Sequence, residues 1–292
     1  MSTSREHLTD VGRLLIQGAD RPGILSNVTS LLSKFGANIV SLDQYSTDPE
    51  GGRYFQRTEF HLPGLGSQIE DLLAAIGETA RELEMDWTLI EAKERKRVAL
   101  FVSKFDHCLL DLLWRARRGS LDIDISMVIS NHPDLSADVR QFGIPFVHVP
   151  VPTGGKAEAE RRHLELLKGN VDFIVLARYM QILSPGFLTE VGVPVINIHH
   201  SFLPAFIGAS PYQKAKDRGV KLIGATAHYV TEDLDEGPII EQDVLRVAHS
   251  HTAEDLATRG ADVERLVLAK AVDWHSEDRI LRDGNTTVIF RR

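Results

Sequence analysis

The stretch GRLLIQGADRPGILSNVTSLLSKFG, residues 12–36, decides the fold of the first part of the chain. Gly12–Gln17 is a short apolar run that predicts a strand, and Asp20 and Pro22 are typical of the first turn of a helix that begins there. Apolar residues then recur at helical spacing as far as Gly36, which predicts one amphipathic helix ended by a glycine. The apolar stripe consists of Ile24, Leu25, Val28, Leu31, Leu32 and Phe35.

The next segments predict the rest of a small domain. Residues 37–45 and 54–62 resemble two strands of a hairpin, because the turn-rich TDPEGG joins them. Apolar spacing over 69–83 predicts a second helix, and 86–92 a closing strand. The order βαββαβ is typical of a ferredoxin-like sandwich, which we place at residues 10–92.

A second α/β domain is predicted at residues 97–292, after the charged run EAKERKR, which we interpret as a solvated linker. Five apolar runs are typical of buried parallel strands: Val98–Ser103, Ile123–Ser130, Phe146–Val149, Phe173–Ala177 and Val195–Ile198. Helical patterns between them cover Cys108–Arg117, Lys156–Leu167 and Tyr179–Leu188. These patterns predict a Rossmann-like, mostly parallel sheet with an antiparallel continuation, which binds ligands at the carboxyl ends of its strands.

Composition excludes several classes of protein. The chain has 292 residues and a net charge of -8, with no basic stripe, so no nucleic-acid partner is expected. A single cysteine, Cys108, excludes an internal disulfide and favours the cytoplasm. We expect neither a signal peptide nor a membrane span, because no apolar run approaches the roughly 20 residues that a span requires.

The segment VINIHHSFLPAFIGASPY, residues 195–212, ends a predicted strand in polar side chains. Strand alternation places Asn197 and His199 on one face and His200 on the other. An amide and an imidazole on one face could together stabilise an oxyanion. We expect no metal, because His199 and His200 should diverge and no HExxH spacing occurs in the chain.

The segment GATAHYVTEDLDEGPIIEQD, residues 224–243, predicts a strand followed by an acidic loop. We interpret Glu232, Asp233 and Glu236 as solvated charges. His228 lies within the strand, where a structural and a catalytic role remain equally open. Cys108 is interpreted as an inert helix residue, and neither GxGxxG nor a P-loop is present to bind a nucleotide.

The motifs NIHHSFLPAF, GATAHYV and DLDEGPIIEQD resemble the formyltransferase fold of folate-dependent enzymes. The resemblance implies a catalytic triad of Asn197, His199 and Asp235. It also implies a pterin pocket whose walls are Met180, Gln181, Ile182 and Leu183 of VLARYMQILSP on one side and residues 230–235 on the other. Val230 and Thr231 of that second side are further candidates for substrate binding, and so is His228 of the preceding strand.

The segment GADRPGILSNVTSLLSKFGANIV resembles the start of an ACT domain, which implies an effector site for an amino acid. Its candidate residues are Asp20, Arg21, Pro22, Gly23 and Ile24, although a purely structural turn remains an equal alternative. An ACT domain followed by a formyltransferase-like domain resembles the formyltetrahydrofolate deformylase family. SKFDHC, residues 103–108, is similar to a segment of those deformylases and lacks the glycines of a phosphate-binding loop.

This resemblance implies hydrolysis of 10-formyltetrahydrofolate to tetrahydrofolate and formate by a homo-oligomer, serving one-carbon and purine metabolism. No cofactor is expected, because the folate is the substrate. Asp235 would order the attacking water and relay its proton, helped by a raised pKa, while His199 and Asn197 hold the formyl oxygen. Formyl transfer to an amine and a catalytically silent amino-acid sensor remain the alternatives.

Overall fold

The computed structural model describes residues 6–204 and 211–291, which form two compact units. The first unit contains residues 6–95 together with Asp278–Leu281 and 288–291. The second contains Lys96–Glu277 and Arg282–Thr287. The sequence predicts two continuous domains, 10–92 and 97–292. The compact units instead divide the C-terminal residues between them.

The first unit has the predicted βαββαβ order after a short 3-10 turn at Glu6–Leu8. Its elements are β1 (Val11–Ala19), α1 (Ile24–Lys34), β2 (Asn38–Ser46), β3 (Arg53–His61), α2 (Leu65–Glu82) and β4 (Met85–Glu91). The strands form one antiparallel sheet in the order β2-β3-β1-β4. The ferredoxin-like arrangement is therefore confirmed.

Helix α1 begins two residues later than the sequence predicts. Gly23, not Asp20 or Pro22, is its N-cap, with a φ of 95° that a side chain would disfavour. The carbonyl of Gly23 accepts the first helical hydrogen bond, from the Asn27 N–H at 3.0 Å. Gly36 ends the helix at a φ of 80°, as expected. Of the predicted stripe, Leu25 is 42% exposed, because it lies at the edge of the buried face.

The C-terminal residues of the first unit complete its core. Leu281 and Phe290 pack with Phe55 of β3 in one apolar cluster. Asp278 lies beside the buried Arg13, with Oδ2 at 3.2 Å from the guanidinium Nη1. The sequence does not predict this arrangement, since the last hairpin follows the second domain along the chain. Its strands are β12 (Ile280–Asp283) and β13 (Thr286–Ile289).

The second unit contains a seven-stranded sheet in the order β11-β10-β9-β8-β5-β6-β7. Its strands are β5 (Lys96–Val102), β6 (Ile123–Ser130), β7 (Phe146–His148), β8 (Phe173–Leu176), β9 (Val195–His199), β10 (Leu222–Tyr229) and β11 (Ile239–Arg246). Strands β5 to β9 are parallel, and β10 and β11 are antiparallel to β9 and to each other. The mostly parallel, Rossmann-like sheet is thus confirmed.

The helices of this unit are α3 (His107–Arg118), α4 (Ser136–Arg140), α5 (Lys156–Leu167), α6 (Pro185–Val191), α7 (Pro211–Asp217) and α8 (Ala253–Ser276). Helix α8 begins with a capping box, in which Thr252 and Asp255 satisfy each other's backbone N–H groups. It packs on β10, β11, β9 and α3. One long helix therefore supports the strands that end at the candidate site.

Two predicted boundaries are wrong. Residues 179–184 are irregular rather than helical, because Ser184 caps α6 by accepting the Phe187 N–H at 3.1 Å and Pro185 takes the first helical position. The predicted linker is also shorter, since β4 continues to Glu91 and β5 already begins at Lys96.

Among the described residues, no helix combines the length and apolarity that a membrane crossing needs.

Gly12→Ala should destabilise the first unit. A Cβ at Gly12 would lie 2.4 Å from Cζ of Phe60, a ring with 0% exposure that has no room to move. We expect the free energy of unfolding to fall by about 1–3 kcal/mol in urea denaturation followed by circular dichroism. Gly66→Ala is the matched control, because nothing lies within 4 Å of its Cβ and it sits in α2. Equal stability of the two variants would contradict the packing argument.

Candidate active site

Two neighbouring strands place an amide beside an imidazole. Strands β9 and β10 pair antiparallel with Asn197 opposite His228 and His199 opposite Thr226. Directly opposite residues of a pair point to the same face of a sheet. The Asn197 Nδ2 and the His228 Nε2 accordingly lie 3.2 Å apart. Asn197 and His199 also share a face, as alternation predicts.

The loop from β10 to β11 brings Asp235 to the same place. Asp235 has a left-handed φ of 60°, and its Oδ1 lies 3.3 Å from His199 Nδ1 and 3.8 Å from His228 Nε2. Gly237 allows this return, because a Cβ there would be 1.8 Å from the Tyr229 carbonyl oxygen. The structure therefore brings Asn197, His199 and Asp235 together and adds His228 to them.

The charges of this group follow from contact and burial. The His199 imidazole lowers the pKa of Asp235, and this effect outweighs desolvation. The expectation that the pKa of Asp235 is raised is therefore wrong, and the carboxylate is ionised at neutral pH. Burial lowers the pKa of His228, which is 2% exposed, so its ring is neutral there.

Hydrogen bonds determine the tautomer of His228. Its Nδ1 lies 3.0 Å from the Tyr229 carbonyl oxygen, which can only accept, so Nδ1 carries the proton. The Nε2 lone pair then accepts the Asn197 amide N–H. His199 Nε2, in contrast, is enclosed and has no hydrogen-bond partner in the part of the chain that the structure describes. This orphaned nitrogen and the second N–H of Asn197 are the groups available to a substrate oxygen.

His200 does not diverge from His199 as predicted. It lies just past the end of β9, where alternation no longer applies, and the two ring centroids are 5.1 Å apart. Burial, followed by the charges of Arg178 and His199, lowers the pKa of His200 to about 4. The argument against a metal from divergent histidines is therefore wrong.

One set of potential metal ligands exists among the described residues, namely His107, Cys108 and Glu264, whose ligand atoms lie within 4.8 Å of one another. The carboxylate of Glu264 is already engaged, however. His107 Nε2 donates to its Oε2 at 2.8 Å, and Arg178 Nε lies 3.4 Å from the same oxygen. Burial raises the pKa of the Cys108 thiol, so it is not a thiolate. These three side chains are therefore better suited to binding Arg178 than to binding a metal ion.

The predicted pterin-binding residues lie on the irregular segment that follows β8. The Met180 N–H donates to the Ser103 hydroxyl at 3.0 Å, which ties this segment to the end of β5. Met180 and Ile182 are 51% and 61% exposed, Gln181 is partly buried, and Leu183 is buried. Leu183 belongs to an apolar cluster against which Val230 also packs.

The remaining candidates have simpler surroundings. Thr231 is partly buried, and its hydroxyl donates to the Asp233 carbonyl at 3.2 Å. The effector candidates form the turn before α1. In that turn Arg21 pairs with Glu84 at 2.7 Å, and the Asp20 N–H donates to the Gly52 carbonyl at 2.8 Å. Pro22 and Gly23 are exposed, whereas Ile24 is only 1% exposed and belongs to the core.

Sequence reasoning missed a buried charged group beside the triad. Glu264, 1% exposed, accepts hydrogen bonds from His107 Nε2 and from the Tyr212 hydroxyl, the latter at 2.6 Å. Tyr212 can approach α8 because Gly260 has no side chain. The sequence does contain a sign of this buried charge. Glu264 lies four residues after Gly260 and three before Val267, which places it on the apolar face of α8.

The comparisons with known proteins agree with this architecture. The family model described as Formyl transferase matches residues 96–272, and that of the ACT domain matches residues 12–77. The fold and the site thus define a two-domain protein in which an ACT domain precedes a formyl transferase domain. Such proteins combine a ferredoxin-like sandwich with a site at the carboxyl edge of a Rossmann-like sheet.

The relatives narrow this class. The chain is 61% identical over 282 residues to a formyltetrahydrofolate deformylase of Mycobacterium tuberculosis, covering 96% of this chain and 91% of that one. It is 52% identical to one of Bacillus subtilis, covering 98% and 96%. A solved formyltetrahydrofolate deformylase of Pseudomonas syringae has a TM-score of 0.92 at 45% identity, covering 96% and 94%. The chain belongs to the formyltetrahydrofolate deformylase family.

Glu264→Gln should cost stability in a pH-dependent way. Its hydrogen bonds and the nearby Arg178 outweigh desolvation and lower the pKa of Glu264 to about 2. A depressed folded-state pKa contributes stability above the unfolded pKa, and this contribution disappears as pH falls towards 2. We expect the variant to be less stable by about 3 kcal/mol at pH 7, a difference that shrinks in urea denaturation at pH 4 and pH 3.

Glu254→Gln is the control for this experiment, because Glu254 is exposed on the same helix. Its effect should stay below about 1 kcal/mol. A Glu264→Gln difference that is the same at pH 7 and pH 3 would show that the buried carboxylate does not stabilise the fold through its charge.

Proposed function

We propose that the protein hydrolyses 10-formyltetrahydrofolate to tetrahydrofolate and formate. One observation carries the proposal: Asn197, His199 and Asp235 converge near the end of β9 in a chain of the deformylase family, and His199 Nε2 has no partner among the described residues. An enclosed imidazole nitrogen next to an ionised carboxylate suits the attack of water on a carbonyl carbon.

The formyl oxygen would bind to the two free groups of the site. His199, with Nδ1–H directed at Asp235, presents Nε2 to this oxygen and donates to it when the imidazole carries its second proton. Asn197 adds its remaining amide N–H, since His228 takes the other. Each such donor typically lowers the barrier by about 3 kcal/mol, because negative charge develops on this oxygen when water adds to the carbon.

Asp235 would order the water and move its proton. Its low pKa keeps the carboxylate ionised, so it can accept a hydrogen bond from water at neutral pH. As the oxygen–carbon bond forms, a water proton passes to Asp235, and the tetrahedral intermediate carries the charge on the former formyl oxygen. The carbon–nitrogen bond then breaks, its electron pair passes to the folate nitrogen, and that nitrogen takes the proton from Asp235. The formic acid that forms gives its remaining proton to solvent and leaves as formate.

Formyl transfer to an amine is less well supported than hydrolysis. The segment SKFDHC brings side chains, not a glycine-rich loop, to the edge where β5 ends. Phe105 covers Arg178 at 4.8 Å, and His107 is bound to Glu264. The segment contains none of the glycines with which a backbone cradle for a phosphorylated acceptor is built. The silent-sensor alternative has no comparable support, since the triad is assembled.

The substrate and the setting are part of the same proposal. Met180, Gln181, Ile182 and Leu183 would line one side of the pterin, and Val230 and Thr231 the other. No cofactor is assigned, because water attack requires none. We assign the protein to the cytoplasm, where the reaction serves one-carbon and purine metabolism, and we propose a homo-oligomer, to be measured by light scattering.

Asp235→Asn should lower kcat for formate release by at least about 100-fold while changing KM by less than about threefold. The amide cannot accept the water proton, whereas it preserves the shape of the site. Formate would be measured without any amine, after treatment with a chelator, and again with candidate amine acceptors. Release without an amine distinguishes hydrolysis from transfer, and its persistence after chelation supports a metal-free reaction.

Asp233→Asn is the matched control, because Asp233 is an exposed acid of the same loop. We expect its kcat to stay within about twofold of the wild type. Near-normal hydrolysis by Asp235→Asn with unchanged substrate binding would mean that Asp235 does not have the proposed role.

An amino acid should bind at the turn Asp20–Gly23 of the ACT domain. Isothermal titration with glycine and with methionine tests this, and we expect saturable heat at micromolar to millimolar concentrations. Asp20→Asn should weaken that binding, whereas the exposed Glu70→Gln on α2 should not change it. No heat with either amino acid at millimolar concentration would leave the turn with a structural role alone.

A further inference from the structure

Arg178 occupies a position at the carboxyl edge that the proposed mechanism does not use. It follows β8 by two residues, and the pairing of Leu176 with Asn197 places it level with His199 of the neighbouring strand. Its carbonyl accepts the Ser103 N–H at 3.3 Å, at the end of β5. Its φ is 63°, a left-handed value that residues with a side chain seldom adopt. Non-glycine residues in this conformation are concentrated at functional sites.

The guanidinium is held in place from two sides. Its Nε lies 3.4 Å from Glu264 Oε2, and the Phe105 ring centroid lies 4.8 Å from its central carbon. Glu264 is in turn fixed by Tyr212 and His107, which come from α7 and α3. Arg178 as a whole is only 7% exposed. A buried cation is therefore oriented by a carboxylate that three elements share.

The described residues use few of the donors of this guanidinium. Its Nε is enclosed and not in line for a hydrogen bond, and neither Nη1 nor Nη2 bonds to any residue that the structure describes. The Arg178 side chain is 7% exposed, so a small part of it is in contact with solvent. A guanidinium carries N–H donors on each nitrogen in a planar fork that matches a carboxylate.

The guanidinium lies at the same edge of the sheet as the triad. The His200 ring centroid lies 5.1 Å from that of His199 and 6.2 Å from that of Tyr212, which binds Glu264. The charge of Arg178 acts on His200 strongly enough to help lower its pKa. The His200 imidazole, which burial keeps neutral, is thus close both to His199 and to the group that holds Arg178.

We propose that Arg178 binds the formate that hydrolysis produces, through Nη1 and Nη2. The inference rests on the proposed function, which generates a small carboxylate at this edge. Two oxygens of formate match the two terminal nitrogens, and no covalent change is involved. Glu264 neutralises part of the positive charge, so formate can bind and still dissociate. Arg178 would thereby draw the product away from the reacting carbon before tetrahydrofolate leaves.

The test measures formate binding and product inhibition in the full-length protein. Binding of [13C]formate, without folate, is followed by its NMR line width, and the inhibition constant of formate is measured in the hydrolysis assay. We expect saturable millimolar binding by the wild type. Arg178→Gln should raise both constants at least about tenfold with KM for the folate within about threefold, and Arg178→Lys should be intermediate.

Arg265→Gln is the matched control, since Arg265 is a half-exposed arginine that pairs with Asp262 on the same helix as Glu264. It should bind formate like the wild type. If Arg178→Gln does not fold, Phe105→Ala serves instead, because loss of the ring releases the guanidinium and should weaken formate binding about threefold or more. Circular dichroism establishes that each variant is folded.

Formate binding and inhibition that are unchanged in Arg178→Gln would overturn the inference, as would a wild type that binds no formate at about 100 mM. If the protein hydrolyses the substrate but does not bind formate through Arg178, only this inference is overturned. Formate binding that depends on Arg178 in a protein without hydrolysis overturns the proposed function alone.

Discussion

The antiparallel pairing of β9 with β10 is the constraint on which the candidate site depends. Its register sets Asn197 directly opposite His228, so the strand pairing itself brings the amide and the neutral imidazole into contact. β10 ends level with Ile196, and the loop that follows it, in which the Val230 N–H donates to the Val195 carbonyl, places the Asp235 carboxylate 3.3 Å from His199 Nδ1. A parallel strand at this place would not have set Asn197 directly opposite His228 in this way.

Charge at this edge is arranged in two buried pairs that differ in purpose. The His199–Asp235 pair leaves one imidazole nitrogen open, which is what a reacting carbonyl requires. The Arg178–Glu264 pair is supported by Tyr212 and His107 and leaves guanidinium donors open. Buried polar groups are costly unless they are paired, so a nitrogen left without a partner at such a depth favours the binding of a ligand or of water.

Much of the fold follows from local patterns in the sequence. Helical spacing and alternation predict both sheets, most helices and the order of the elements, because these patterns reflect which face is buried. The predicted helix starts are wrong where a capping signal competes with periodicity, as at Ser184 and Pro185. They are also wrong where a glycine is the N-cap, as at Gly23. The position of the last hairpin residues could not be predicted, since their partners Phe55 and Arg13 are more than two hundred residues away.

For the candidate site, the sequence by itself determined that Asn197 and His199 share a face, and its motifs identified the family and Asp235. Only the tertiary structure decided the proton positions and charges: His228 accepts from Asn197, Asp235 has a lowered pKa, and His200 lies beside His199. It also decided that Glu264 of a distant helix meets Arg178. The reason is physical, since a pKa and a hydrogen-bond direction depend on burial and on atoms a few ångströms away. Those atoms come from parts of the chain that local spacing does not relate.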